Sequence, residues 1–123
     1  MKILQKEIKI LFYSEWDSIV DWQKVFLGKN IKLLNWPNDF KNKYNKKDIC
    51  YAIVWDPPNE LFNDFPNLKL IQSLGAGVDH ILKLPSYKNT PIIRIQDPNM
   101  RARMFNHVLS QILNYQLKLN EYF

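Results

Sequence analysis

The densest concentration of chemistry-bearing residues is Ser73-Leu74-Gly75-Ala76-Gly77-Val78-Asp79-His80, lying between an apolar run and a short helical pattern. A strand-to-helix turn of this kind falls at the carboxyl edge of an open α/β sheet, where ligands collect. The paired glycines open backbone dihedrals closed to other residues and let a ligand approach the main chain closely. The N–H groups of Ala76, Gly77 and Val78 are then expected to point outward at the start of a helix. That arrangement suits a carboxylate or a phosphate and gains from the helix dipole. Two other readings stay open. Gly75 and Gly77 match the first two positions of a GxGxxG dinucleotide fingerprint, and Asp97 lies near the spacing of a ribose-binding acid. Against that reading, the third glycine position holds His80, and the motif follows the fourth apolar run instead of the first. The remaining alternative is a tight turn with no ligand.

The other reactive side chains carry less. His80 is expected to face outward from a short helix and His107 to lie within a long one, so both read as partly solvated structural histidines. Arg94, Arg101 and Arg103 could meet an anion, although solvation or contact with a further domain is the plainer reading. The lone Cys50 has no CxxC partner and can form no internal disulfide, which points to a cytoplasmic protein without a zinc site.

The elements that must position these residues follow from periodicity. Strands are predicted at Ile8–Tyr13, Ile31–Trp36, Tyr51–Trp55, Leu68–Ser73 and Ile92–Ile95, each bounded by turn-forming residues. Tyr51–Trp55 is almost without polar interruption, which predicts burial on both faces. A helix is expected over Ser18–Leu27, capped by Asp17 or Ser18 and ended by Gly28 at the position after its cap. One helical turn is expected at Asn59–Phe62 and a short helix at Val78–Leu82. From Asn99 to the end the pattern is helical throughout, with Met100, Met104, Val108, Ile112, Tyr115 and Leu119 in one stripe beside Phe105, Leu109, Leu113 and Leu117. This arc faces either the core or a second domain or subunit. Strands alternating with helices predict an α/β fold with a flavodoxin-like open parallel five-stranded sheet, flanking helices and a long final helix.

Bulk properties exclude several classes. A chain of 123 residues makes one domain, and it contains no apolar run long enough to span a membrane. The opening Met1 to Glu7 argues against a signal peptide. The net charge of +5 owes much to Lys41, Lys43, Lys46 and Lys47, in an asparagine-rich loop flanked by acids. Such a run reads as a solvated surface and not as a nucleic-acid patch. A flavodoxin-type phosphate loop would need glycine after the first strand, where Tyr13-Ser14-Glu15-Trp16-Asp17 has none. A receiver would need a lysine after the fifth, where Gln96-Asp97-Pro98 stands.

Three segments in series, Tyr51 to Pro58, Leu68 to His80 and Ile93 to Met100, resemble the D-isomer-specific 2-hydroxyacid dehydrogenases, with the closest likeness to the glyoxylate/hydroxypyruvate reductase A subgroup. The likeness runs from about Ile8 to Phe123. It implies a substrate-binding domain over residues 1–98 and an interdomain helix over residues 99–123, leading to a Rossmann domain outside this chain that binds NADPH or NADH. By that resemblance the backbone at Gly75, Ala76, Gly77 and Val78 holds the carboxylate of a small 2-oxo acid. Trp55 is then a pocket wall, with a plain sheet-edge aromatic as the alternative. Met100 and Met104 either border the substrate or serve as core. Many family members carry Asn where Met100 stands and Glu where Asn106 stands, and the subgroup admits Met at the first. The family's catalytic Arg, acid and His lie beyond residue 123, so the resemblance assigns no catalytic or cofactor-binding residue here and predicts an inactive fragment of a homodimeric parent, with no nucleic acid, membrane or metal partner. A non-catalytic anion-binding or oligomerisation module is the rival reading.

Overall fold

A computed structural model describes residues 6–121. Met1 to Gln5, Tyr122 and Phe123 lie outside the described residues, and with them part of the reading of the chain's start and the last residues assigned to the interdomain helix. The elements are β1 (Ile8–Ser14), α1 (Ile19–Val25), β2 (Ile31–Asn35), β3 (Tyr51–Trp55), β4 (Leu70–Ser73), α2 (Asp79–Leu82), β5 (Ile92–Ile93) and α3 (Pro98–Gln116), with short 3-10 turns between them. All strand pairs are parallel, in the order β2-β1-β3-β4-β5, which is the flavodoxin-like arrangement.

Register decides what is buried. Parallel partners share a face, so Leu34, Leu11, Ala52, Ile71 and Ile92 line up across the sheet. On this face Leu11, Leu34, Ala52, Val54 and Ile71 are buried, together with Phe40, Ile49, Leu61, Phe62, Phe65, Ile81 and Leu84 from the segments packed over it. Phe40 and Phe65 meet edge-on with ring centroids 5.1 Å apart. The opposite face is covered only at one end. There α1 lays Trp22 against Phe12, at 6.1 Å, and Phe12 and Leu33 are buried. Over β3 to β5 the cover stops. Ile53 and Gln72 are half-buried, and Tyr51 and Ile93 are exposed. The apolar run of β3 is therefore buried on one side, not two, because no described helix crosses its second face.

The ends of the elements follow local chemistry. Ser18 caps α1 by accepting from the Val20 N–H. That helix stops at Val25, and Gly28, at φ +76°, makes its turn two residues past the Phe26 cap, one further on than the sequence pattern suggests. β4 starts two residues later than expected and β5 ends two earlier. The Asn59–Phe62 turn is displaced to a 3-10 turn at Leu61–Asp64. Asp97 caps α3 through the Asn99 N–H at 2.9 Å, with Pro98 in the first turn, where its missing N–H costs nothing. The helix does not run to the end of the chain. It closes at Gln116, with Lys118 at φ 51° and a 3-10 turn over Leu119–Glu121. No residue of α3 is buried, so Met100 and Met104 are not core and the wide apolar arc does not face one. Among the described residues, no helix is long and apolar enough to cross a membrane, and no cluster of potential metal ligands forms.

Candidate functional site

The glycine loop leaves β4 at Ser73 and enters α2 at Asp79, on the carboxyl edge of the sheet. Its path is fixed from three sides. The Leu74 N–H donates to the Val54 carbonyl at 3.1 Å, holding the loop to β3, and the Ile95 N–H donates to the Gly75 carbonyl at 3.2 Å, holding it to the segment after β5. Underneath, the buried Ser73 hydroxyl donates to the Gly77 carbonyl at 2.8 Å and accepts from the Gly75 N–H at 3.3 Å. These bonds use the Gly75 and Gly77 carbonyls and leave the loop's central donors unused. The N–H groups of Ala76, Gly77 and Val78 have no protein acceptor among the described residues, and Ala76 and Gly77 are exposed. Because the carbonyl of one residue and the N–H of the next point in opposite directions across a trans peptide, anchoring Gly77 to Ser73 turns the Val78 N–H away from Ser73.

The glycines serve a different purpose from the one their conformational freedom suggests. Neither Gly75 nor Gly77 has a positive φ; among the glycines that belongs to Gly28. At Gly75 the requirement is space. A Cβ there would lie 2.6 Å from Cζ3 and 3.0 Å from Cη2 of Trp55, against a rigid ring that cannot yield cheaply. Trp55 is thus the floor of the loop. It is not among the residues lining the adjoining cavity, and its ring also packs against His80 with centroids 4.3 Å apart. His80 accordingly does not face outward as expected. It is half-buried, with its ring nitrogens directed at the loop and at the end of β3. The short helix contributes little by itself. α2 has only four residues, so the polarity at the loop comes from individual amides and not from a macrodipole.

A cavity of about 750 Å³ opens between this loop and the start of α3, lined by Ala76 and Met100 with Arg94, Asp97, Arg101 and Met104 among its walls. Two arginines against one carboxylate leave it net positive, favourable to an anion. The structure therefore brings together Ala76, Met100 and two of the three arginines singled out in the sequence. It leaves Trp55 beneath the loop and His107 on the exposed helix. Ser73 is the loop residue that sequence reasoning missed. A small polar residue ending an apolar strand two positions before a glycine was the available signal.

The dinucleotide reading of the loop fails on the same geometry. A pyrophosphate-binding turn needs a third glycine for close helix–strand packing. Here His80 occupies that position, and its ring fills the space beside Trp55. These residues do not fit a nicotinamide dinucleotide.

An open parallel α/β domain carrying an amide-lined loop beside a positively charged cavity is the class that fold and site define. Comparison with known proteins narrows it. No protein-family model matches the chain. It is 29% identical over 123 residues to glyoxylate/hydroxypyruvate reductase A of Photorhabdus laumondii and 31% identical over 126 residues to that of Citrobacter koseri, each alignment covering 94% of this chain and 38% of the relative. Among solved structures, a D-isomer-specific 2-hydroxyacid dehydrogenase from Xanthobacter autotrophicus Py2 in complex with NADPH and MES superimposes with a TM-score of 0.70 at 33% identity, over 89% of this chain and 36% of that one. An NADPH-dependent glyoxylate/hydroxypyruvate reductase from Sinorhizobium meliloti in complex with NADP and sulfate gives a TM-score of 0.73 at 27% identity, over 94% and 37%. The chain is a homologue of the D-isomer-specific 2-hydroxyacid dehydrogenases, its curated relatives are glyoxylate/hydroxypyruvate reductases A, and it spans a little over a third of their length.

Proposed function

We propose that these residues form the substrate-binding part of an NAD(P)H-dependent 2-hydroxyacid dehydrogenase that reduces glyoxylate or hydroxypyruvate. The observation that carries this reading is the set of unused main-chain donors at the exposed Ala76 and Gly77 and the half-buried Val78, on a loop whose Gly75 and Gly77 carbonyls are tied down. Preorganised amides of this kind bind a carboxylate with charge-assisted hydrogen bonds and pay no cost of reorganisation when it arrives. In this reading Gly75 lets Trp55 support the loop from below, Met100 borders the substrate, and residues 98–116 lead from the substrate domain toward the nucleotide-binding part. The cofactor, NADPH or NADH, the group that polarises the ketone and the proton donor are assigned to that part, outside these residues. The complete enzyme is taken as a cytoplasmic homodimer, with α3 and the uncovered half of the sheet as the surfaces its other parts would cover.

Titration calorimetry of the 123-residue protein with oxalate and glyoxylate tests the reading. Both acids are expected to bind and NADPH is not, and the protein alone should not consume NADPH with glyoxylate. Failure of either acid to bind would remove the carboxylate role, and turnover by this chain alone would show that the missing groups had been misplaced.

A further inference from the structure

Both ring nitrogens of His80 have main-chain partners of fixed character. Nδ1 lies 3.2 Å from the Asp56 amide nitrogen, which can only donate, and Nε2 lies 3.2 Å from the Gly77 carbonyl, which can only accept. A single neutral tautomer satisfies the two, with Nδ1 bare and the proton on Nε2. The Gly77 carbonyl then receives two donors, His80 Nε2–H and the Ser73 hydroxyl at 2.8 Å. The 3.4 Å between Ser73 Oγ and His80 Nε2 is the side of this triangle that needs no bond of its own. At the other end of the ring, Asp56 holds an uncommon positive φ of 46°, and its N–H is occupied by His80. One imidazole thus links the exit of β3, the glycine loop and α2.

We infer that His80 is a positioning residue for the loop: as the Nε2–H tautomer it clamps the Gly77 carbonyl beside Ser73, and the peptide plane they share turns the Val78 N–H toward the ligand side. The benefit to binding rests on the carboxylate reading given above, whereas the tautomer and the ordering of the loop do not. His80 has no part in proton transfer in this assignment, since its one N–H is spent on a carbonyl.

Nitrogen-15 NMR of the 123-residue protein at alkaline pH, where imidazole is neutral, reports the tautomer directly, and backbone spectra report the Gly77 and Val78 amides. His80→Gln keeps a donor at the same number of bonds from Cα as Nε2, whereas His80→Asn carries its acceptor and its donor at the level of Nδ1, one bond short of the position that meets the Gly77 carbonyl. His80→Leu keeps bulk against Trp55 and neither bond. The expected results are the Nε2–H form, Val78 amide signals disturbed in the Leu and Asn variants but near wild type in Gln, and oxalate binding about tenfold weaker in Leu and Asn than in Gln, as for loss of an oriented charge-assisted donor. A packing role alone would not separate Gln from Asn. Should the Leu variant fail to fold, the Gln and Asn pair still decides. A proton on Nδ1, or equal Val78 signals in Gln and Asn, overturns the inference. If the wild-type protein binds no oxalate, the carboxylate reading falls by itself, and the tautomer and the Val78 signals still judge His80.

Discussion

The two faces of the sheet are built from strands of similar composition and end in different states. On one face Leu34, Leu11, Ala52 and Ile71 lie side by side and are buried by their neighbours in the same chain. On the other, burial ends beyond Phe12 and Leu33, where α1 ends, and Tyr51, Ile53, Gln72 and Ile93 remain partly or largely open. The apolar side chains of α3 do not cover that area, since Met104 and Phe105 are themselves 61% and 66% exposed. The difference teaches which hydrophobic positions hold this domain together by themselves. The glycine loop belongs to the self-sufficient part, because Ser73, Val54 and Ile81 anchor it from the buried side.

The comparison gives its largest expected effect in a pair of equivalent truncations. Ile71→Ala on the buried face should cost about 2–5 kcal/mol in urea unfolding, the range for emptying a packed aliphatic site. Ile93→Ala, on the adjoining strand but the open face, should cost less than about 1 kcal/mol, mainly strand preference. Similar losses at both positions would mean that the second face is covered after all. A smaller effect is expected at the loop. Gly75→Ala drives a methyl into Trp55, and overpacking of that kind costs about 1–3 kcal/mol. Because the obstacle is one named ring, the cost should shrink in a Trp55→Leu background, and a double-mutant cycle measures the coupling. Additive losses would show that Gly75 is constrained by something other than Trp55.

The same contrast explains how far the sequence could be read. Parallel strands, their number and the loop after β4 were all legible, because β-branched runs broken by Pro, Gly and Asp at strand ends leave few arrangements open. The faces were harder. Tyr51-Ala52-Ile53-Val54-Trp55 looks uniformly buried, since an apolar residue does not state whether its cover comes from its own chain. α3 was open in the same way: its arc reads as facing either the core or another domain or subunit, and among the described residues no core meets it. At the site, the open amides were legible from Gly75-Ala76-Gly77. The roles of Trp55 and His80 were not, because they arise from contacts between β3 and α2, 25 positions apart in sequence, that periodicity cannot encode.

The smallest expected effect lies at the carboxyl end of β1 and concerns charge. Tyr13 sits on the buried face, edge-on to Trp36 at 6.0 Å, and its phenol is raised above the ordinary value of 10.0 by burial first and then by Glu15, Asp56 and Glu60. The neutral phenol is therefore favoured by folding. Its contribution is fully present below the unfolded value and is lost as pH rises through the higher folded value, so stability should fall above about pH 10. Tyr13→Phe cannot ionise and should lose less stability over that interval, as read from paired urea titrations at successive pH values. Equal decline in the two proteins would show that neither burial nor the three acids hold this phenol neutral in the folded state. Those acids place negative charge beside the crevice between β1 and β3, the usual ligand position in this topology, in contrast to the cavity beside the loop after β4, where Arg94 and Arg101 outnumber Asp97.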